Sequence, residues 1–136
     1  MEAPLLHARS AHPAALVIDD SPVECMLATA VLQKLGFSVS CAASAEEALT
    51  CIAGKRFDLA ICDISLPDMD GLMLIAAMRA GSQPPHCIVL SAHDDMLHEQ
   101  QALQAGARAY LVKPLRLETM RAALGVCFGT KERRVQ

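Results

Sequence analysis

The chain has 136 residues and a net charge of −3, a length that fits one domain and a charge that argues against a nucleic-acid surface built on bulk positive charge. Hydrophobic residues make up 53%, but aromatics only 3% and Trp none, so the core must be Leu, Ile, Val, Ala, Met and Cys, which suits helices covering both faces of a sheet more than a β-sandwich. The N-terminus lacks a basic-then-apolar signal and no apolar run approaches ~18 residues, so a soluble, cytoplasmic chain without membrane association is expected.

Met1 to Pro13 has no clean period and reads as a loose tail. Ala14 to Ile18 is a short apolar run of the kind buried on both faces of a parallel sheet, and it ends on Asp19-Asp20. Ser21, Pro22 and Glu24 then predict a helix start: an N-cap serine, proline in the first turn, and a glutamate closing a capping box. Val23, Met26, Leu27, Ala30, Val31 and Leu35 are expected to form its buried face, with Gly36 as the stop. A weaker strand covers Phe37 to Ala42. Ser44 and Glu47 form a second capping box, opening a helix through Ile52 that stops at Gly54.

Leu59 to Cys62 is the most apolar strand run, and it ends abruptly on Asp63. Asp70 is a plausible N-cap for a helix over Leu72 to Ala80, closed by Gly81. Cys87 to Leu90 is a fourth strand, ending on Ser91. Asp94 can cap a helix to Ala105, which Gly106 ends and which has few apolar anchors. Ala109 to Val112 is a fifth strand, ending on Lys113-Pro114. Leu117, Met120, Leu124 and Cys127 stripe a last helix. Five strands alternating with five helices imply right-handed crossovers and a doubly wound α/β fold around a five-stranded parallel sheet. The six cysteines include no CxxC pair and no His at finger spacing, and are expected to be reduced structural residues.

What ends each strand carries the chemistry. In a parallel sheet Asp19, Asp20, Asp63, Ser91 and Lys113 all lie on one edge, where open α/β sheets place their ligands. Two carboxylates ~4–5 Å apart repel by roughly 3–4 kcal/mol at an effective dielectric of about 20, and three fare worse. Such a cluster needs a cation, and an oxygen-only, partly hydrated donor set suits Mg²⁺ better than zinc. A carboxylate can also act as nucleophile and form an aspartyl phosphate. Lys113 would then supply a fixed positive partner, and the Ser91 hydroxyl would donate to a phosphoryl oxygen. The bland readings are an acidic pair at a helix N-terminus for Asp19-Asp20, a solvated Lys113, an ordinary edge-strand Tyr110, and a site-rim residue for His93.

These residues also carry a family resemblance. Asp19-Asp20-Ser21-Pro22, Asp63 with Leu66-Pro67 and Asp70-Gly71, Ser91-Ala92, and Tyr110-Leu111-Val112-Lys113-Pro114 together resemble the CheY-like receiver domain of bacterial two-component response regulators. The resemblance covers Ala14 to Phe128 and implies a flavodoxin-like strand order, 2-1-3-4-5. It implies that Asp63 accepts a phosphoryl group from a phosphohistidine on a sensor histidine kinase or histidine phosphotransfer protein. Asp20, Asp63 and the Ser65 backbone carbonyl would bind Mg²⁺ directly, with Asp19 acting mainly through a metal-bound water. Ser91 and Lys113 would hold the phosphoryl oxygens, and Lys113-Pro114 would be a cis peptide. Tyr110 would be the switch aromatic, turning inward as Ser91 moves toward the phosphate. Ser65 and His93, each two residues after a key position, would influence the phosphate's lifetime.

The expected function is a phosphorylation-controlled signalling switch that catalyses only its own phosphorylation and dephosphorylation. It would signal to a downstream effector through the last two helices and the fifth strand, as a monomer or a phosphorylation-dependent dimer, without direct nucleic-acid binding. The domain is expected over residues 14–129, between the N-terminal tail of residues 1–13 and a short basic tail of residues 130–136. Too few residues follow Phe128 for an output domain, so a stand-alone regulator and a piece of a longer regulator or hybrid kinase are both open. Two other classes stay open as well: a phosphorylation-independent interaction module, and a Mg²⁺-dependent phosphohydrolase of the haloacid-dehalogenase type. The latter wants an acid/base Asp two residues after its nucleophile, where Ser65 stands.

Overall fold

A computed structural model of the chain describes residues 12–129. The predicted basic tail lies outside the described residues, as does the predicted N-terminal tail up to residue 11. The elements run β1 (Ala14–Ile18), α1 (Pro22–Lys34), β2 (Ser38–Ala42), α2 (Ala45–Gly54), β3 (Leu59–Cys62), α3 (Gly71–Arg79), β4 (His86–Ser91), α4 (Met96–Ala105), β5 (Ala109–Val112) and α5 (Leu117–Phe128). The five strands form one parallel sheet in the order β2-β1-β3-β4-β5, the expected doubly wound α/β fold. None of the described helices is long and apolar enough to cross a membrane.

Successive side chains of a strand point to opposite faces, so each apolar run feeds two cores. Leu16, Ile18, Ala60, Cys62 and Val89 pack on one face against Ala45, Ala48, Leu74, Ile75, Met78 and Ala102 of α2, α3 and α4. Ala15, Val17, Leu59, Ile61, Ile88 and Leu90 pack on the other against Ala28, Leu32, Met120, Ala123 and Cys127 of α1 and α5. Both faces are therefore dry, which is why β1 and β3 read as unbroken apolar runs rather than alternating ones. All six cysteines are free thiols, and three of them (Cys62, Cys87 and Cys127) are buried. Burial pushes Cys87 up to about 12 and Cys127 to about 11, so these thiols stay protonated and pack as small hydrophobes.

The expected buried face of α1 holds only at Val31 and Leu35. Ala28 and Leu32 are the buried residues, with Cys25, Val31 and Leu35 half-buried beside them. Val23, Met26, Leu27 and Ala30, assigned to the buried face from periodicity, are exposed, Met26 by 70%. The helix is apolar on two sides, so spacing alone does not choose between them, and the sheet decides. Leu32→Ala is accordingly expected to cost about 2–5 kcal/mol in chemical denaturation, whereas Met26→Ala should stay within about 0.5 kcal/mol of wild type.

Two caps also differ from expectation. Ser21 Oγ accepts the Glu24 amide at 3.3 Å, but the reciprocal half of the capping box is missing. The Ser21 amide donates instead to Asp19 Oδ1 at 2.9 Å, and Glu24 Oε1 is left without a partner. In α2 the box is nearly complete: Ser44 Oγ accepts the Glu47 amide, and Glu47 Oε1 accepts the Ala43 amide.

Asp95, not Asp94, caps α4. Its Oδ1 accepts the His98 amide at 2.8 Å, and its Oδ2 lies 2.6 Å from His98 Nδ1. The His98 amide foremost, and then its ring, hold the Asp95 carboxyl below the ordinary value of 3.8. A carboxyl whose pKa is depressed by folding contributes stability that is present above the unfolded value and lost as pH falls through the folded one. Asp95→Ala should therefore lower the unfolding midpoint at neutral pH, and the gap to wild type should close on acidification below pH 3.8. Asp94→Ala should show no such gap in the same pH series. At the other end of the helix, Gly106 takes φ +115°, a left-handed conformation that lets its amide bond back to the last turn.

Candidate functional site

Parallel register brings the acidic residues together before any side chain is considered. Ile18 pairs with Cys62 across β1 and β3, so Asp19 and Asp63 leave adjacent strands side by side, and the Asp63 amide donates to the Ile18 carbonyl at 2.9 Å. Ser91 pairs with Val112 across β4 and β5, so Lys113 steps off next to Ser91, and its amide donates to the Ser91 carbonyl at 2.7 Å. Four of the residues named from sequence, Asp19, Asp63, Ser91 and Lys113, thus leave their strands at one sheet edge.

Asp19, Asp20 and Asp63 each offer a carboxylate oxygen within 4.8 Å of the other two, with Asp19 and Asp63 buried and Asp20 exposed. Lys113 Nζ lies 2.7 Å from Asp19 Oδ2 and 3.3 Å from Asp63 Oδ2. Burial alone would lower the Lys113 pKa, but the two carboxylates outweigh it and hold the ammonium above the usual lysine range. One ammonium faces three carboxylates, so the cluster keeps a deficit of positive charge and an all-oxygen donor set, the chemistry of a hard divalent cation site.

The loop after β3 is closed on itself. Ser65 donates its amide to Asp63 Oδ1 at 3.1 Å, Gly71 donates to the Ile64 carbonyl at 2.8 Å, and Ser65 bridges to Asp70. Asp70 caps α3 as expected, accepting the Leu72 amide at 2.8 Å. The closure requires glycine at 71, where a Cβ would stand 2.4 Å from the Asp63 carbonyl oxygen and 2.7 Å from Ile64 Cα.

On the other side of the site, Ser91 is buried and its Oγ accepts the His93 amide at 3.0 Å. His93 is exposed, and its ring stacks on His98 at 4.8 Å between centroids. The half-buried Tyr110 donates its hydroxyl to the His93 carbonyl, tying β5 to the loop that precedes α4. The Lys113-Pro114 peptide is cis.

One residue at the site escaped the sequence reading. Asp68, at the tip of the β3–α3 loop, accepts the amides of Ala45 and Glu46 at 2.9 and 3.0 Å. No local pattern marks it, because its partners lie more than twenty residues away in the chain.

Residues 15–125 match the response regulator receiver domain family. Over 109 residues the chain is 32% identical to the transcriptional regulatory protein ZraR of Salmonella typhimurium, covering 80% of this chain but only 25% of that protein. Its fold is similar to that of the Vibrio cholerae chemotaxis protein CheY4, with a TM-score of 0.79, 31% identity, and coverage of 86% of this chain and 99% of that one. It is also similar to a Burkholderia pseudomallei response regulator solved with a phosphorylated aspartic acid, a calcium ion and citrate, at TM-score 0.75 and 29% identity over 91% of this chain and 71% of that one. Sheet order, sequence match and the carboxylate cluster agree: the chain belongs to the response regulator receiver domain family.

Proposed function

We propose that the chain, over residues 14–129, is a phosphorylation-controlled switch of a two-component phosphorelay, with Asp63 as the phosphoacceptor. The observation that carries this reading is the Asp63 carboxylate itself. It is buried at a strand end, has Lys113 Nζ 3.3 Å away, and has two more carboxylates within 4.8 Å. In the proposed reaction an Asp63 oxygen attacks the phosphorus of a phosphohistidine. An O–P bond forms, the N–P bond breaks, and the imidazole nitrogen leaves with the electron pair.

Positioning and charge carry such a transfer. Lys113 would stabilise negative charge on the phosphoryl oxygens, and Ser91 would turn its hydroxyl from the His93 amide to donate to one of them. Mg²⁺ fits the all-oxygen donor set. Asp20, Asp63 and the Ser65 carbonyl would hold it with Asp19 behind them, and when bound it would offset the charge gathered around the transferring phosphoryl group. The phosphorylated aspartate and calcium ion of the Burkholderia protein support this reading by analogy.

The donor would be a sensor histidine kinase or histidine phosphotransfer protein, in a cytoplasmic setting. The output would pass through the α4–β5–α5 face. Only Ala102 of α4 is buried, while Met96, Leu97 and Leu103 are exposed together with Val112 of β5 and Val126 of α5. A thinly anchored helix shifts at low cost. The Tyr110 hydroxyl bond to the His93 carbonyl is the contact that a movement of Ser91 would disturb.

The test is mass spectrometry after incubation with Mg²⁺ and a small acyl phosphate. One base-labile phosphoryl adduct per chain, with no turnover of a generic phosphate ester, is expected. Ester turnover would favour a phosphohydrolase, and the absence of any adduct would favour an interaction module.

A further inference from the structure

We infer that Asp68 is a positioning residue for the cation side of the site, a latch that fixes the β3–α3 loop, and with it the Ser65 carbonyl, by clamping the first turn of α2. The inference rests on the cation reading above and concerns a residue outside the carboxylate cluster.

The geometry is specific. Asp68 Oδ1 takes the Ala45 amide at 2.9 Å and Oδ2 takes the Glu46 amide at 3.0 Å, so both oxygens of one carboxylate are spent on two successive amides. A helix start leaves its first amides without intrahelical partners. Ser44 caps only the Glu47 amide, so the rest of the α2 cap comes from the loop after β3, which lies on the same face of the sheet. The exchange benefits the loop as well. Ser65, Pro67, Asp68 and Asp70 are exposed, and only Ile64, Leu66 and Met69 pack, partly buried, against the core. The ring closures at Ser65 and Gly71 set the base of the loop, and the Asp68 carboxylate ties its tip to a rigid element. The two amides also hold the Asp68 carboxyl below its ordinary range, so the latch persists into mild acid.

Supporting groups of this kind commonly change metal affinity by about 10- to 100-fold when removed, because they orient the ligands that touch the ion. At this exposed tip the lower end is expected. Two variants separate positioning from charge. Asp68→Ala removes the acceptor, while Glu46→Pro removes one donor amide in the first helical turn, where proline is tolerated, and leaves Asp68 intact.

The measurement is Mg²⁺ affinity of the full chain by calorimetry, well below its thermal midpoint, with hydrogen exchange on the same samples. Asp68→Ala is expected to raise the dissociation constant about tenfold and Glu46→Pro by a smaller factor. In both, amides of residues 64–71 should exchange faster while those of the central strands keep their protection. Should Asp68→Ala fail to retain strand protection, Glu46→Pro decides alone. Wild-type affinity in both variants overturns the latch, as does a loss confined to Asp68→Ala in a folded chain, since charge would then explain it. A wild-type chain that binds no divalent cation overturns the cation reading itself, and the latch with it.

Discussion

Asp63→Asn is expected to reduce acyl-phosphate labelling to background while leaving the fold intact. An amide keeps the shape of the carboxylate and can still accept the Ser65 amide that Asp63 Oδ1 accepts at 3.1 Å, but it lacks the anionic oxygen that attacks phosphorus. Stability should hold or rise, because the repulsion from two neighbouring carboxylates at least matches the attraction of one ammonium. At an effective dielectric of about 20, Lys113 at 3.3 Å attracts Asp63 by about 5 kcal/mol. Each carboxylate oxygen at 4.8 Å or closer repels it by about 3 kcal/mol or more. Removing the charge deletes both sides of that balance. A thermal midpoint unchanged or raised, beside a lost adduct, would identify the residue as acceptor. A persistent adduct mapping elsewhere would remove Asp63 from that role.

Gly71→Ala is the second large effect. All three of the nearest atoms to an added Cβ are backbone: the Asp63 carbonyl oxygen at 2.4 Å, Ile64 Cα at 2.7 Å and the Ile64 carbonyl oxygen at 3.0 Å. A flexible side chain could swing away, but these atoms belong to the segment that carries Asp63, the proposed acceptor. Either α3 backs off and breaks the Gly71–Ile64 hydrogen bond, or Asp63 is displaced. A loss of roughly 1–3 kcal/mol is expected, a fall in Tm of about 3–10 °C. The rate of acyl-phosphate labelling should fall with it even at temperatures where the variant is folded. Gly54→Ala is the control. Nothing lies within 4 Å of its added Cβ and its φ is not positive, so it should be neutral or stabilising by up to about 1 kcal/mol, with labelling unchanged. Equal melting curves for the two variants would show that the loop has room the distances deny it.

The elements themselves were legible because their signals are local. Apolar runs too short for helices, serine and aspartate caps one turn ahead of glutamates, and glycines at helix ends each act within a few residues. The convergence of Asp19, Asp63, Ser91 and Lys113 was legible for the same reason, since a parallel sheet places every strand's end on one edge. The order of the strands came from resemblance rather than from periodicity, which fixes no neighbours.

What only the tertiary structure decided is where two local options compete or a partner is distant. In α1 two apolar stripes compete, and the sheet takes Ala28 and Leu32 while leaving Met26 outside. Glu24 has the spacing to close its capping box, but Asp19 takes the Ser21 amide first, so a site residue outbids a cap. Asp94 and Asp95 are equivalent in composition, and backbone direction at the start of α4 chooses Asp95. Asp68 is the limiting case. Its partners are two amides more than twenty residues upstream, which become its neighbours only when β1 and β3 pair and α2 comes to rest beside the loop after β3.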